Sequence, residues 1–229
     1  MDDSTKWERY GALGGILFVV LVIVSIAVTG STPKASDSAS KILKSFQDHQ
    51  DGIKAGSFIG GLAAVPLLWW AGSLYARMRR AEDGQTRLAL IAVLGLVLGG
   101  AGQIGMSAID STVALTLNTV SASGAKFFFV LGQGFADAAL IGLAVLTLAV
   151  SVLAFRTRVF PIWLAWVGIV NAILFVVSSY AVATTDDAIA GIGFAAFIVW
   201  AIWIIVTSVI MFRATASPEP ASAMSASSI

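Results

Sequence analysis

The sequence predicts an all-α membrane protein, a polytopic bundle of six transmembrane helices, from its composition and its hydropathy pattern. Hydrophobic residues make up 58% of the chain and charged residues only 12%, whereas about 25% of the residues of a soluble domain are charged. A helix needs roughly 20 apolar residues to cross a bilayer, and it satisfies its own backbone hydrogen bonds there. Strand-like alternation is absent, which argues against a membrane β-barrel. The six predicted spans are approximately 11–29, 53–76, 88–110, 127–155, 160–182 and 188–212.

The first and fourth stretches need separate justification. Lys6 and Arg9 precede the first stretch as they would in a signal peptide. Its apolar run is longer than the usual signal-peptide core of about 7–15 residues, and no clear Ala-x-Ala site follows, so we expect a retained anchor. The fourth stretch is long enough to protrude from the bilayer or to tilt, and Gly132 and Gly134 would allow it to bend.

The remaining stretches fit one transmembrane domain over residues 1–213. Pro66 interrupts the second stretch, but proline is common in membrane helices, so we attach no function to it. Residues 214–229 are rich in alanine, serine and proline. That composition cannot pack a core, and it predicts a disordered cytoplasmic tail.

The distribution of lysine and arginine predicts the orientation, because cytoplasmic segments are richer in these residues. With the N-terminus inside, nine of the 14 lie in segments predicted to be cytoplasmic and five in outer segments. Every arginine is then cytoplasmic, and all the outer cations are lysines. Trp69, Trp70, Trp163 and Trp166 lie near the cytoplasmic boundary, where aromatic anchors are common. Both termini are therefore predicted to be cytoplasmic (N-in, C-in).

The first outer loop, residues 30–52, is predicted to contain a short amphipathic helix over 38–50. A serine or aspartate among residues 36–38 is positioned to cap it. We expect the helix to lie on the outer membrane surface, with a solvated His49 at its end. The apolar residues that share one face at helical spacing are Ile42, Leu43, Phe46 and Ile53.

Three segments give the chain a likeness to known sequences. They are Arg156–Gly168 with its Pro161-x-Trp163-Leu-x-Trp166 turn, Trp200-Ala-Ile-Trp203, and the segment around His49. On these residues the chain resembles a family of small six-helix bacterial membrane proteins described only as a domain of unknown function, and the likeness covers most of the chain. The resemblance implies an integral membrane protein and implies no activity; we expect it in the bacterial plasma membrane.

Two aspartates lie within or at the end of the predicted spans. An aspartate at a helix centre costs about 2.5–3.5 kcal/mol on insertion scales, so it indicates a functional site by default. Asp110 ends the third span on the outer side, where water reaches it, and an interfacial role is the simpler expectation. Asp137 lies roughly 15 Å along the fourth span from its outer end. Gln133 lies one turn above Asp137 on the same helix face.

Other polar residues are expected at comparable depth. Gln103 lies roughly 10 Å below the outer end of the third span, and Asn171 lies near the middle of the fifth. Gly95 and Gly99 would let two helices approach closely. No Lys, Arg or His lies deep in any span, so the acid within the cluster either carries a proton or binds a cation. The predicted binding residues are Asp137, Gln133, Gln103, Asn171 and Asp110.

The residue types exclude several classes of chemistry. The chain has no cysteine and one histidine, which excludes disulfides, thiolate metal sites, thiol nucleophiles and bis-histidine haem. It has no phosphate-binding loop, no His-Glu-x-x-His motif and no complete nucleophile elbow. We therefore expect no catalytic residue, no metal and no cofactor, and predict that the protein is not an enzyme. A net charge of +1 without a basic cluster argues against a nucleic-acid partner.

Two functions from different classes are favoured at the level of the sequence, ahead of a third and weaker one, an intramembrane enzyme that would turn over a substrate at Asp137 or Asp110. The first, favoured slightly because a buried acid needs an explanation, is a proton- or cation-coupled small-molecule transporter with its site around Asp137. The second is a non-catalytic accessory or scaffold protein that binds a partner protein, membrane lipid or a second copy of itself. Asp137 would then be a protonated structural clasp hydrogen-bonded to glutamine, and such bonds contribute about 0.6 kcal/mol in membrane bundles.

Overall fold

The computed structural model describes residues 3–184 and 186–214, and their regular secondary structure is entirely helical. Six helical units are long and apolar enough to cross a membrane, which confirms the predicted six-span bundle. The tail predicted over 214–229 lies outside the described residues, except for Ala214 at the end of the last helix. The six units are Trp7–Thr29, Gln50–Ala81, Arg87–Leu115, Ala122–Thr157, Ile162–Ala183 and Asp187–Ala214.

The spans are assembled from shorter helices. The first span consists of α1 and α2, the second of α4 and α5, and α3 lies in the loop between these two spans. The third, fourth and sixth spans are single helices, α6, α7 and α9, and the fifth is α8 extended by a 3-10 helix. The bounds are α1 Asp3–Ala12, α2 Gly14–Thr29, α3 Ala39–Asp48, α4 Gln50–Leu62, α5 Ala64–Ala81, α6 Arg87–Leu115, α7 Ala122–Thr157, α8 Ile162–Ser178, the 3-10 helix Ser179–Ala183 and α9 Asp187–Ala214.

Pro66 explains why the second span is broken at Ala63. Proline has no N–H to donate to the carbonyl of Leu62, and its ring clashes with that carbonyl. The helix therefore ends at Leu62 and restarts so that Pro66 lies in the first turn of α5, where an N–H has no partner within the helix. In contrast, α7 continues through Gly132 and Gly134 without interruption.

The spans pack side by side in chain order, and the sixth span closes the ring against the first. The contact between α6 and α7 is the most extensive. The fourth span is also the most buried. In its most apolar 18-residue stretch 67% of the residues are buried, against 33% in the corresponding stretch of each of the first three spans. A Cβ added at Gly95 of α6 would lie 2.6 Å from the carbonyl oxygen of Gly142 in α7. The two helices therefore approach as closely as the glycines of α6 predict.

Large side chains fill the ring on its predicted cytoplasmic side. Trp70 of α5 and Trp203 of α9 are buried and pack edge to face, with ring centroids 6.4 Å apart. The indole N–H of Trp203 donates to the carbonyl of Leu164 at 3.3 Å. The guanidinium of Arg77 donates to the carbonyl of Val159 at 2.8 Å, which joins the second span to the turn before the fifth. This half of the bundle is therefore closed.

The helix predicted in the first outer loop is present as α3, somewhat shorter than predicted. The Ser38 hydroxyl caps it by accepting a hydrogen bond from the Lys41 N–H at 3.3 Å. Ile42 and Phe46 are buried in a cluster with Phe129 and neighbouring residues from α6 and α7. The apolar face of α3 therefore contacts protein rather than the expected lipid surface. Amphipathic spacing indicates that a face is covered, but it does not say by what.

Candidate functional site

A cavity of about 460 Å³ lies inside the ring, in the half predicted to face outward. Side chains from the first, second, third, fourth and sixth spans form its wall, and the fifth span reaches it at Ser178. It extends from the outer loop at residues 30–33 to Trp200, in the middle of α9. Small-molecule sites typically measure roughly 300–1,000 Å³, so this cavity is large enough for an organic ligand.

Four of the five predicted binding residues line this one cavity. Gln103 and Asp110 come from α6, and Gln133 and Asp137 come from α7. Residues four or seven positions apart lie on one side of a helix, so each helix contributes an amide and a carboxylate from a single face. The structure therefore brings these four side chains to a common space.

Asn171 does not line the cavity. It lies about two turns below Ser178, the one residue of the fifth span that reaches the cavity wall. Its side chain is fully buried, and neither its amide nitrogen nor its oxygen has a hydrogen-bond partner among the described residues. The structure thus separates Asn171 from the polar cluster in which its sequence depth placed it.

Asp110 and Asp137 are the only ionisable residues that line the cavity in the described part of the chain. Neither acid takes part in an ion pair among the described residues. The ion pairs between those residues are Lys34–Asp187, Lys41–Asp37, Lys54–Asp51 and Arg80–Glu8. One carboxylate oxygen of Asp110 is buried and has no hydrogen-bond partner among the described residues. As far as the chain is described, the cavity wall therefore carries two acidic groups and no counter-charge.

The inner end of the cavity is aromatic. Trp200 is 2% exposed and packs against Phe18 at 5.6 Å, Phe197 at 5.5 Å and Phe175 at 6.4 Å between ring centroids. Its indole nitrogen is buried and has no hydrogen-bond partner within residues 3–184 and 186–214. The cavity therefore combines acidic and amide groups with an apolar, aromatic end.

The outer mouth is bordered by a loop that ion pairs hold in place. Lys34 donates to the carboxylate of Asp187, at the start of α9, at 2.6 Å, and this hydrogen bond and charge raise the pKa of Lys34. Lys126 of α7 donates to the backbone carbonyl of Asp37 at 2.7 Å. A hydrogen bond from Lys41 lowers the pKa of Asp37. These cations at the mouth are therefore already engaged with partners outside the cavity.

Two contacts lie near the start of the second span, one at His49 just before it and one to α2 of the first span. The ring of His49, expected to be solvated, is partly buried, with Nδ1 3.1 Å from the carbonyl oxygen of Ser45. Ser25 of α2 donates to the carbonyl of Gly56 in α4 at 2.8 Å, so the two helices are hydrogen-bonded beside the cavity.

Sequence analysis missed the contributions of the first and sixth spans. Ser25, Phe194 and Trp200 all line the cavity, but uniformly apolar spans give no signal of which face is turned inward. Ser107 could have been found, because it lies four residues after Gln103 on the same helix face.

Comparison with known proteins identifies the family without an activity. The chain belongs to the family described as Domain of unknown function (DUF4386), whose model matches residues 13–207. That range covers the six spans apart from the two ends of the bundle, and it includes every residue that lines the cavity. No curated protein and no solved structure matches the chain significantly.

Proposed function

We propose that this family member is a small-molecule carrier whose transport is coupled to a proton or cation bound at Asp137. The observation that carries the proposal is that Asp110 and Asp137 line one cavity to whose wall the described residues contribute no basic side chain. An unpaired carboxylate inside a bundle is costly, and hydrogen bonding to a packed neighbour would be the simplest structural compensation. Both acids instead line the cavity.

The shape of the bundle supports the same proposal. The cavity reaches the outer loop at one end, whereas buried side chains around Trp70 and Trp203 close the other half. A carrier needs a site near the middle of the membrane that is open to one side at a time. We therefore propose that this arrangement is the outward-facing state of such a carrier, situated in the plasma membrane of a bacterium.

A second candidate is an accessory protein that binds a partner without catalysis or transport. It is favoured by an exposed aromatic pair near the predicted cytoplasmic boundary, where Trp7 and Trp69 stack with their centroids 6.0 Å apart. Both are well exposed, at 66% and 57%. A partner helix or lipid headgroups would cover such a pair. For an accessory protein of this kind, no ligand is expected in the cavity.

Thermal unfolding of the purified protein in detergent tests the carrier proposal. Wild type, Asp137→Asn and the control Asp51→Asn are compared from pH 5 to 8 with inorganic cations, sugars, amino acids, amines and carboxylates. Asp51 is a suitable control because its side chain is fully exposed outside the cavity. We expect at least one compound to raise the unfolding temperature of wild type and Asp51→Asn but not that of Asp137→Asn. Identical behaviour of all three proteins in every condition would count against a site at Asp137.

A further inference from the structure

The geometry points to a ligand class for this site: we infer that the cavity binds an organic cation, a protonated amine with an apolar body. The inference rests on the proposed ligand-binding function and specifies what is bound. It follows from three features of the cavity, namely the sign of its charge, the incomplete hydrogen bonding of Asp110 and its aromatic end.

The sign of the charge comes first. When both acids are ionised, Asp110 and Asp137 give the cavity wall two negative charges, and no Lys, Arg or His among the described residues lines it to offset them. The nearby lysines at the mouth bind Asp187 and the backbone of Asp37. An anionic ligand would be repelled, and a neutral ligand would leave the carboxylates unpaired in an apolar setting. A cation supplies the missing counter-charge.

The carboxylate of Asp110 is incompletely satisfied by the protein. One of its oxygens is buried and has no hydrogen-bond partner among the described residues, while the residue itself lines the cavity. Where Asp110 borders the cavity, an ammonium N–H would supply a charge-assisted hydrogen bond that the protein does not provide.

The aromatic end separates an organic cation from a metal ion. Trp200 and its neighbours Phe18 and Phe197 form an apolar wall at the inner end of the cavity, which favours the apolar body of an organic ligand over a hydrated metal ion. Within the described residues, no three His, Cys, Asp or Glu side chains come together as a metal-binding group. The donor set therefore favours an ammonium ion over a divalent metal.

Binding of a cation at these carboxylates also explains how a proton can be coupled. Each carboxylate holds either a proton or the ammonium group, because the charge that attracts the cation is lost when the acid is protonated. Release of the cation to one side is then matched by uptake of a proton from that side, and no covalent bond to carbon is made or broken. The titratable groups that line the cavity are Asp110 of α6 and Asp137 of α7, and the lining from α2, α3, α4, α5, α8 and α9 adds none among the described residues.

Three matched probes test the inference by isothermal titration calorimetry at pH 7.5: 4-phenylbutylammonium, the neutral 4-phenylbutan-1-ol and the anionic 4-phenylbutanoate. We expect the ammonium to bind at least tenfold more tightly than either analogue, a difference of about 1.4 kcal/mol. Asp137→Asn and Asp110→Asn should each weaken ammonium binding by about tenfold or more, and Asp51→Asn should not. At pH 5 wild type should also bind the ammonium more weakly.

The outcomes separate this inference from the proposed function. Equal binding of the alcohol and the ammonium would overturn the inference of a cationic ligand and leave a ligand site in place. Binding of none of the three probes, together with stabilisation of wild type by a compound of another class, would also overturn the inference alone. If no compound binds or stabilises the protein at all, both the inference and the carrier proposal fail. The three probes give this answer on wild type even if a variant does not fold.

Discussion

Replacing Gly142 by alanine would place a methyl group between α7 and α6 where no side chain can move aside. The added Cβ would lie 2.6 Å from the carbonyl oxygen of Gly95 and 2.7 Å from the amide nitrogen of Gly99, both of them backbone atoms. Ordinary contacts begin at 3.4 Å, so the helices must separate locally by about 0.8 Å. This contact joins the two helices that carry all four of the predicted binding residues that line the cavity.

The expected cost follows from this separation. A gap of about 0.5–1 Å forfeits roughly a quarter to a half of the dispersion energy of each contact, and overpacking typically costs about 1–3 kcal/mol. Alanine is a better helix former than glycine and returns at most about 1 kcal/mol. We therefore expect Gly142→Ala to lower the free energy of unfolding by about 1–2 kcal/mol.

Gly134→Ala provides a matched control on the same helix, because nothing lies within 4 Å of the Cβ it would add. It should leave the free energy of unfolding unchanged or raise it slightly. The assay is reversible unfolding in mixed micelles by titration with a denaturing detergent, followed by tryptophan fluorescence. Equal stability of Gly142→Ala and wild type, or an equal loss in both variants, would refute the close backbone approach of α6 and α7.

Three further predictions concern the outer loop and the orientation. Ile42→Ala should destabilise the docking of α3 by about 2–5 kcal/mol because Ile42 is fully buried, and faster amide exchange confined to the loop would be the expected sign. Because Asp187 raises the pKa of Lys34, Lys34 keeps its proton to higher pH, and Asp187→Asn should speed acylation of Lys34 at pH 9; an unchanged rate would contradict the ion pair. Since the chain has no cysteine, Gln47→Cys and Gln85→Cys test the orientation: an impermeant maleimide should label only the former in intact cells, and the reverse pattern would invert the topology.

The spans could be predicted from the sequence because hydropathy and length alone decide them. The stretches predicted over 88–110 and 188–212 lie entirely within the observed helices Arg87–Leu115 and Asp187–Ala214. The break at Ala63 could have been placed from Pro66, since a proline ring excludes a continuous helix at the preceding turn. What covers the apolar face of α3 could not be predicted, because lipid and protein are equally apolar partners for Ile42 and Phe46.

The candidate site was only partly predictable for a related reason. Depth along a span follows from counting residues, and it grouped Gln103 with Gln133 correctly in one cavity. The direction in which a side chain points around the helix axis can be predicted only where two faces of the helix differ in polarity. The apolar sixth span has no such difference, so Trp200 was missed. Depth also grouped Asn171 with the cluster, although it faces another part of the bundle.

Substitution of Asn171 therefore tests whether the direction of a side chain, rather than its depth in the membrane, decides that it belongs to the site. Its side-chain nitrogen and oxygen are buried without a hydrogen-bond partner in the described residues, and an unsatisfied buried polar group costs about 1–3 kcal/mol. Leucine has the same branching without the polar atoms, so we expect Asn171→Leu to raise the free energy of unfolding and to leave binding of 4-phenylbutylammonium unchanged. Gln103→Leu, a change of the same kind inside the cavity wall, should instead weaken that binding. If Asn171→Leu abolished binding while the protein stayed folded, Asn171 would belong to the site after all, and its apparent separation from Asp137 would not describe the state that binds the ligand.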